Sequence, residues 1–553
     1  MDLLTSLPED LLLLTLELLP PSQVVRCRLI SRSIHHALTR ANLCKHLLLS
    51  MLPRSREARL LRRLRENAED AVVRAKDWSV VFAVAARRHH HQTTGVFLSA
   101  REISLLPAEH SFEGVMPWDT FLRFDDVTMP LYYDDVVWAY GSGEGLLVYP
   151  VSGQEYCALD LALGISQIVP FTTKGRIVRR VRLEHGVLVF EWAEQEAFHQ
   201  LNEGEGVHRH FASAFDVWTD KEEYDTLPDL GASKSGDAVE GERLKPQRWH
   251  FALRAEWKIH YLGLPLATND RFYSAHNATH YALYVWQPNR SPWGEDSPLE
   301  RLTVWDIGNP RKAESCISVA PIEPDMIRSI TNEHLTPSGL RQSDTPSLRS
   351  VALESETRDP HTGQSTGHLF FLTEEHLWAA ASQSGLPPRR LHSVCATGIP
   401  LQGNGPVWVN ECSGNAVSPA CRGNAFAVQE EDAWPGWAPC WLHEDFPSLT
   451  VAQLVDRLAG SRFDARQCLS MEYCLSMEYV SVNRDPEQGT ASSVSRADAR
   501  EGANSADVDG ALQRQVRFLD GTWRRIMEMG KIAGDERWMI GETPGAVVTV
   551  LYF

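Results

Sequence analysis

After His89-His90-His91 the chain changes pattern: helical spacing of apolar residues gives way to short β-type runs divided by Gly, Asn and Asp turns. A switch of this kind forces two sorts of body, a small helical one in front and a large all-β one behind, and so a multidomain α+β class. At 553 residues the sequence exceeds what one hydrophobic core usually organises, and 43 % hydrophobic residues with 17 Trp suffice to fill several. Charge divides at the same place. Residues 1–92 carry 15 Lys plus Arg against 9 Asp plus Glu, so the formal net charge of −18 leaves −24 for the remainder.

In the front part, Ser6 and Glu9 have the spacing of a capping box, with Pro8 in the first turn of a helix. Leu7, Leu11, Leu12, Leu14, Leu16, Leu18 and Leu19 are too many for one apolar stripe, so this helix needs two surfaces, one of which a partner can supply. Pro20 and Pro21 end it. A second helix capped by Ser22 carries Val24, Val25, Cys27 and Ile30; a third carries Ile34, Ala37 and Leu38; a fourth, capped by Asn42, carries Leu43, Leu47 and Leu48. From Ser55 to Trp78 steps of three and four predict a single amphipathic helix, a strut between the two bodies.

Behind it, Val136–Tyr140, Leu146–Tyr149 and Glu155–Leu159 read as a three-stranded meander with turns at Gly141-Ser142-Gly143 and Ser152-Gly153. The cadence continues through Arg176–Leu183, a His185-Gly186 turn, Val187–Trp192, Phe211–Trp218, Trp257–Leu262, His280–Gln287, Leu302–Ile307, Val351–Glu356 and Gly367–Thr373. So many short strands over some 450 residues predict a degenerate β-propeller with room for six or seven blades. The apolar end Ala546–Phe553 is expected to complete the first blade, since a free strand of that composition is an aggregation hazard. Polar stretches near 226–246, 288–298, 338–348 and 484–512 read as loops, and the tandem hexapeptide Cys468–Tyr473, Cys474–Tyr479 is too short to be architectural.

Several chemistries find no support. The acidic main body would repel a phosphate backbone, so no nucleic acid is expected, and no run approaches the roughly 20 apolar residues of a membrane-spanning helix. The start, with Asp2, Glu9 and Asp10, lacks the form of a secretory signal, which predicts an intracellular protein of cytoplasm or nucleus and reduced cysteines. Cys412 with Cys421 and Cys468 with Cys474 are too widely spaced for a zinc site, His89–His91 and His276 with His280 lack further ligands, and no metal or cofactor is expected. Gly141-x-Gly143-x-Gly145 stands between two strands and reads as a hairpin turn, not a phosphate cradle. No catalytic residue is nominated.

Leu7-Pro8-Glu9-Asp10-Leu11-Leu12, Leu18-Leu19 with Pro21, Val24-Val25-Arg26-Cys27-Arg28 and Leu29-Ile30-Ser31-Arg32 with Leu38 together resemble the F-box. The layout is similar to fungal F-box proteins in which a linker helix leads to a degenerate propeller, Leu302-Thr303-Val304-Trp305-Asp306-Ile307 being one blade strand. The resemblance implies an F-box helical module at residues 1–52, a linker helix at 53–92, and a substrate-binding β domain at 93–553 with loop insertions. It implies a Skp-type adaptor, and through it a cullin and a RING subunit, as partners, with an unknown protein as the substrate and no catalysis by the receptor. Leu7, Pro8, Leu11, Leu12, Leu19, Val24, Val25, Leu29 and Ile30 are the residues it assigns to the adaptor interface. A non-ligase scaffold and an enzyme built on the β domain are the competing readings. The family often has Trp where this chain has Ile34 and Cys44.

Overall fold

The structure is a computed structural model. It describes residues 7–53, 55–66, 76–94, 97–106, 113–115, 132–134, 137–202, 205–219, 248–259, 270–287, 297–308, 323–336, 340–342, 348–378, 390–402, 407–409, 448–456, 461–469, 478–482, 532–535, 537–543 and 545–553. The loops expected at 226–246 and 484–512, most of those at 288–298 and 338–348, and much of the tandem hexapeptide lie outside the described residues.

Among the described residues six helices come first: α1 (Glu9–Glu17), α2 (Pro21–Cys27), α3 (Arg32–Leu38), α4 (Ala41–Met51), α5 (Arg56–Glu66) and α6 (Trp78–Thr94). Three expected caps are displaced. The N-cap positions of α1, α2 and α4 are Pro8, Pro20 and Arg40, none with a side-chain capping bond, so neither Ser22 nor Asn42 holds the cap position expected of it, while Ser6 lies outside the described residues. Ser31 does cap α3, its Oγ accepting from Ile34 N at 3.2 Å. The strut expected from Ser55 to Trp78 is corrected as well. Trp78 is the first residue of α6, whose first turn is capped by Asp77 Oδ1 accepting from Ser79 N at 3.0 Å. An N-cap aspartate outweighed the apolar spacing that runs through it. Leu61, Leu64, Trp78 and Phe82 are buried in one core with Leu12, Leu16, Val24, Leu43 and Leu47, so α5 and α6 belong to the same packed body as α1–α4.

The rest is β. Among the described residues five four-stranded antiparallel sheets and one three-stranded sheet follow in chain order. The closing sheet pairs Ser99–Ser104 with Val547–Tyr552, then Trp538–Thr543 and Ile532–Gly534. The second holds Ala139–Gly141, Leu146–Val151, Glu155–Asp160 and Ser166–Thr172, and the third Arg176–Glu184, Val187–Glu194, His210–Thr219 and Trp249–Lys258. The fourth holds Arg271–His276, His280–Gln287, Leu299–Asp306 and Asp325–Thr331, and the fifth Leu348–Leu353, His368–Trp378, Arg390–Pro400 and Val407–Val409. Ser448–Asp456, Ser461–Leu469 and Glu478–Val482 make the sixth.

From the closing sheet through the fifth, consecutive sheets pack face to face, which is why strands such as His280–Gln287 are buried at every position and read as unbroken apolar runs. Leu147, Leu159 and Trp138 of the second sheet and its lead-in meet Ile540, Val548 and Val550 of the closing one. Leu146, Val148 and Tyr156 on the other face meet Val181, Phe190 and Phe215. Val189, Ala212 and Trp257 then meet Tyr281, Leu283 and Trp305, and Tyr284 and Leu302 meet Leu348, Leu369 and Phe371. Polar bonds cross the same seams: Glu144 Oε1 accepts from Gly186 N at 2.6 Å, Arg180 Nη2 donates to Phe272 O at 2.9 Å, and Asn277 Nδ2 donates to Glu354 O at 2.7 Å.

Four-stranded meanders stacked in chain order, with the last strand hydrogen-bonded to the first, make a β-propeller architecture. The expected C-terminal closure is present: Val548, Val550 and Leu551 are fully buried, Leu98 N donates to Tyr552 O at 2.7 Å, and Trp138 Nε1 donates to Glu542 at 2.9 Å. The His185-Gly186 turn has positive φ at both residues, 52° and 71°, the primed form that matches strand twist. Gly141-x-Gly143-x-Gly145 is a hairpin turn closed by Gly145 N donating to Gly141 O at 2.7 Å. Strand readings shift: of the run read as Trp257–Leu262, Trp257 and Lys258 end the strand Trp249–Lys258 and residues 260–262 lie outside the described residues, Val136–Tyr140 gives way to Ala139–Gly141, and Val351–Glu356 to Leu348–Leu353.

Candidate adaptor-binding surface

Helix α1 solves its leucine excess by dividing it. Leu12 and Leu16, four apart, are buried against α4, while Leu13 and Leu19 pack partly on the same core. Leu7, Leu11, Leu14 and Leu18 recur at steps of four, three and four and therefore share one stripe; they are 36, 49, 62 and 84 % exposed. Leu29 and Ile30, in the turn after α2, are 86 and 65 % exposed, held there by Leu29 N donating to Arg26 O and Ile30 N to Cys27 O. Six of the sixteen large apolar side chains exposed among the described residues thus fall between residues 7 and 30, a concentration that points to a binding surface.

The nine residues assigned from sequence separate accordingly. Leu7, Pro8, Leu11, Leu29 and Ile30 are exposed, Leu19 and Val25 are half-buried, and Leu12 and Val24 lie in the core at 9 and 1 % exposure. The last two support the surface from beneath. Leu14 and Leu18 were missed, although their spacing from Leu7 and Leu11 carried the signal.

Helix α6 fixes the base of this surface by packing on α2 and α4. Arg28 of α2's C-cap donates from Nη1 to Ser79 O at 3.1 Å, lies 5.9 Å from the centroid of Phe82, and donates from Nη2 to Cys44 Sγ at 3.6 Å. Cys44 is fully buried and donates to Leu38 O, and burial pushes its thiol up to about 11, which keeps it neutral. Where the F-box family often has Trp, this chain has Ile34 and Cys44, and the bulk comes instead from Trp78 and Phe82 of α6, both in the same core. Lys45 Nζ lies 5.8 Å from the Trp78 ring. Between α5 and α6, Arg88 donates to both carboxylate oxygens of Glu57 at 3.1 and 2.7 Å, with both side chains nearly sealed from solvent. Burial alone would raise the Glu57 carboxyl, but Arg88 overcomes it and holds the group below its ordinary value.

Such a surface is suited to hold an apolar groove or helix, and its side chains offer no nucleophile or acid–base pair. In the β region the histidines weighed as ligands are internal: His276 Nε2 sits 2.9 Å from Val187 O, and His280 lies between Thr357 Oγ1 at 2.6 Å and Ser365 Oγ at 2.9 Å. No group of three metal-ligating side chains occurs among the described residues, and no described helix is long and apolar enough to cross a membrane.

Residues 4–46 match the F-box domain family model. No curated protein matches the chain. Among solved structures, a chain of the Mitotic Checkpoint Complex is similar at 8 % identity, covering 53 % of this chain and 83 % of that one with a TM-score of 0.15. Saccharomyces cerevisiae Sqt1 is similar at 10 % identity, covering 76 % of this chain and 96 % of that one with a TM-score of 0.21. The chain thus carries an F-box domain at residues 4–46, with a large all-β region of four-stranded antiparallel sheets behind it.

Proposed function

We propose that this chain is the substrate-recognition subunit of an SCF-type cullin-RING ubiquitin ligase. Residues 1–52 bind a Skp-type adaptor, which brings in cullin and RING subunits; residues 53–92 brace that surface; residues 93–553 hold the protein to be modified. The receptor performs no chemistry of its own and acts by proximity, raising the effective concentration of target lysines near the conjugating enzyme. This places its work in cytoplasm or nucleus. The observation that carries the reading is the exposed stripe Leu7–Leu11–Leu14–Leu18 with Leu29 and Ile30, lying inside an F-box domain.

Co-purification with adaptor and cullin tests it. Because Leu11 and Leu14 are exposed, Leu11→Asp with Leu14→Asp leaves the fold intact, and adaptor and cullin are both expected to be lost, by more than tenfold. Adaptor retained by the variant overturns the interface assignment. Wild-type chain that holds adaptor but never cullin favours a non-ligase scaffold instead.

A further inference from the structure

The seam between the second and third sheets carries a column of rings and guanidinium groups that runs from the core to solvent. Phe190 and Phe171 stack at 3.9 Å between centroids. The Arg176 guanidinium follows, 5.1 Å from Phe171 and 4.2 Å from Trp192, and Trp192 stacks on Phe211 at 4.8 Å. Arg209 lies 5.9 Å from Phe211 and 4.6 Å from Phe198, the last ring. Each rung is pinned. Trp192 Nε1 donates to Ser213 Oγ at 2.8 Å, Ser213 to Glu256 at 2.7 Å, Arg176 pairs with Glu256 at 3.4 Å, and Arg209 Nε donates to Glu194 at 2.6 Å.

Phe198 is 65 % exposed although Arg209 covers one of its faces. A single exposed apolar residue is ordinary, but this one is held in place by an arginine that is itself fixed by a carboxylate, and it leads into the hairpin His199–Asn202, Glu205–Val207. The face of an aromatic ring carries negative potential, so it attracts a cation. The local sequence agrees: residues 194–209 contain Glu194, Glu196, Glu203 and Glu205 against Arg209 as their only Lys or Arg, within a region of net charge −24. An acidic partner would be repelled, and the pattern of the column calls for a cation next.

We propose that Phe198 is a docking point for an arginine or lysine side chain in a basic segment of the target protein, the cation extending the column over the exposed side of the ring, with Glu196 two residues before it in the chain. The inference rests on the reading that the β region holds a protein. It gives an acidic β region a way to distinguish targets, and it adds rigidity, because an ordered column loses little conformational freedom on binding.

Random peptides displayed on phage and selected on the full-length chain test this, followed by titration of resynthesised peptides against wild type, Phe198→Ala, Phe198→Tyr and Glu196→Lys. Selected peptides are expected to be enriched in Arg and Lys over the unselected library. Affinity should fall about two- to fivefold in Phe198→Ala, the value of one exposed cation–π contact, stay near wild type in Phe198→Tyr, and fall in Glu196→Lys. Peptides without such enrichment, equal binding by Phe198→Ala, or no selected peptide at all overturns the proposal. Adaptor co-purification is run on the same preparations: its loss in wild type defeats the ligase reading, while its persistence with unselective peptide binding defeats this proposal alone.

Discussion

Removing one member of the Glu57–Arg88 pair should loosen the whole base of the candidate surface. Arg88 and Glu57 are 8 and 3 % exposed and meet through two hydrogen bonds, so Arg88→Met leaves a buried carboxylate without its counter-charge. Two unit charges about 4 Å apart attract by about 4 kcal/mol at an effective dielectric of about 20. Breaking a buried pair by losing one partner typically costs about 3–5 kcal/mol, which agrees. Hydrogen exchange of α5 and α6 in the full-length chain reads the cost locally, and amides there should exchange roughly two to three and a half powers of ten faster. Glu57→Leu with Arg88→Met removes both charges and should recover most of the loss, since a well-packed apolar pair does as well as a buried ion pair. Glu57 is held below its ordinary value when folded, so its contribution is complete above the unfolded carboxyl range and fades as pH falls through the folded value. A single Arg88→Met variant that exchanges within threefold of wild type, or a double variant no better than the single, refutes the reasoning.

Three other outcomes follow from the same structure. Burial holds His280 down to about 4, against an attraction from Asp306 and with further depression by Arg358, so the unfolded chain binds this proton more readily between about pH 4 and 6.5. Stability should therefore drop by about 2 kcal/mol from pH 7.5 to 5 on this account, and His280→Gln should flatten that part of the pH profile of denaturant unfolding. Deleting residues 547–553 removes fully buried Val548, Val550 and Leu551, roughly 5–9 kcal/mol of burial, and strips Ser99–Ser104 of its partner; the chain should be recovered as aggregate, and a soluble, cooperatively melting product would contradict the closure. Inserting a 20-residue Gly-Ser linker between Thr94 and Ser99 adds about 25 Å of flexible span, and should leave adaptor and target binding intact while slowing ubiquitin transfer in a reconstituted assay.

The β region was legible because its signals are local. Positive φ at His185 and Gly186, the Gly141–Gly145 turn and the apolar C-terminal run each specify a structure within a few residues. Strand limits were not, where edge strands mix exposed and buried positions: Trp249–Lys258 alternates irregularly and showed only its apolar end. In the helical part the first four elements were legible but not their starts, since Pro8 and Pro20 take the cap positions, and the single helix expected over Ser55–Trp78 hid the start of α6 at Trp78. The candidate surface was half legible for a deeper reason. A helix with leucine on most sides does not declare which side meets its own core, and only the packing of α4 and α6 distinguishes Leu12 from Leu11.

The break at Asp77 changes how the two bodies can be joined. A single helix over Ser55–Trp78 would have been a rod of about 36 Å at 1.5 Å per residue, setting a fixed distance by its own length. Instead α5 and α6 return onto α1–α4, and the covalent path from Thr94 at the end of α6 to Ser99 at the first strand spans at most roughly 18 Å. Reach in this protein therefore comes from the thickness of the helical body and of the propeller rather than from a spacer between them. Rigidity then depends on the packing inside each body, which is why a salt bridge buried between α5 and α6, remote from the exposed leucine stripe in sequence, bears on how firmly that stripe is presented.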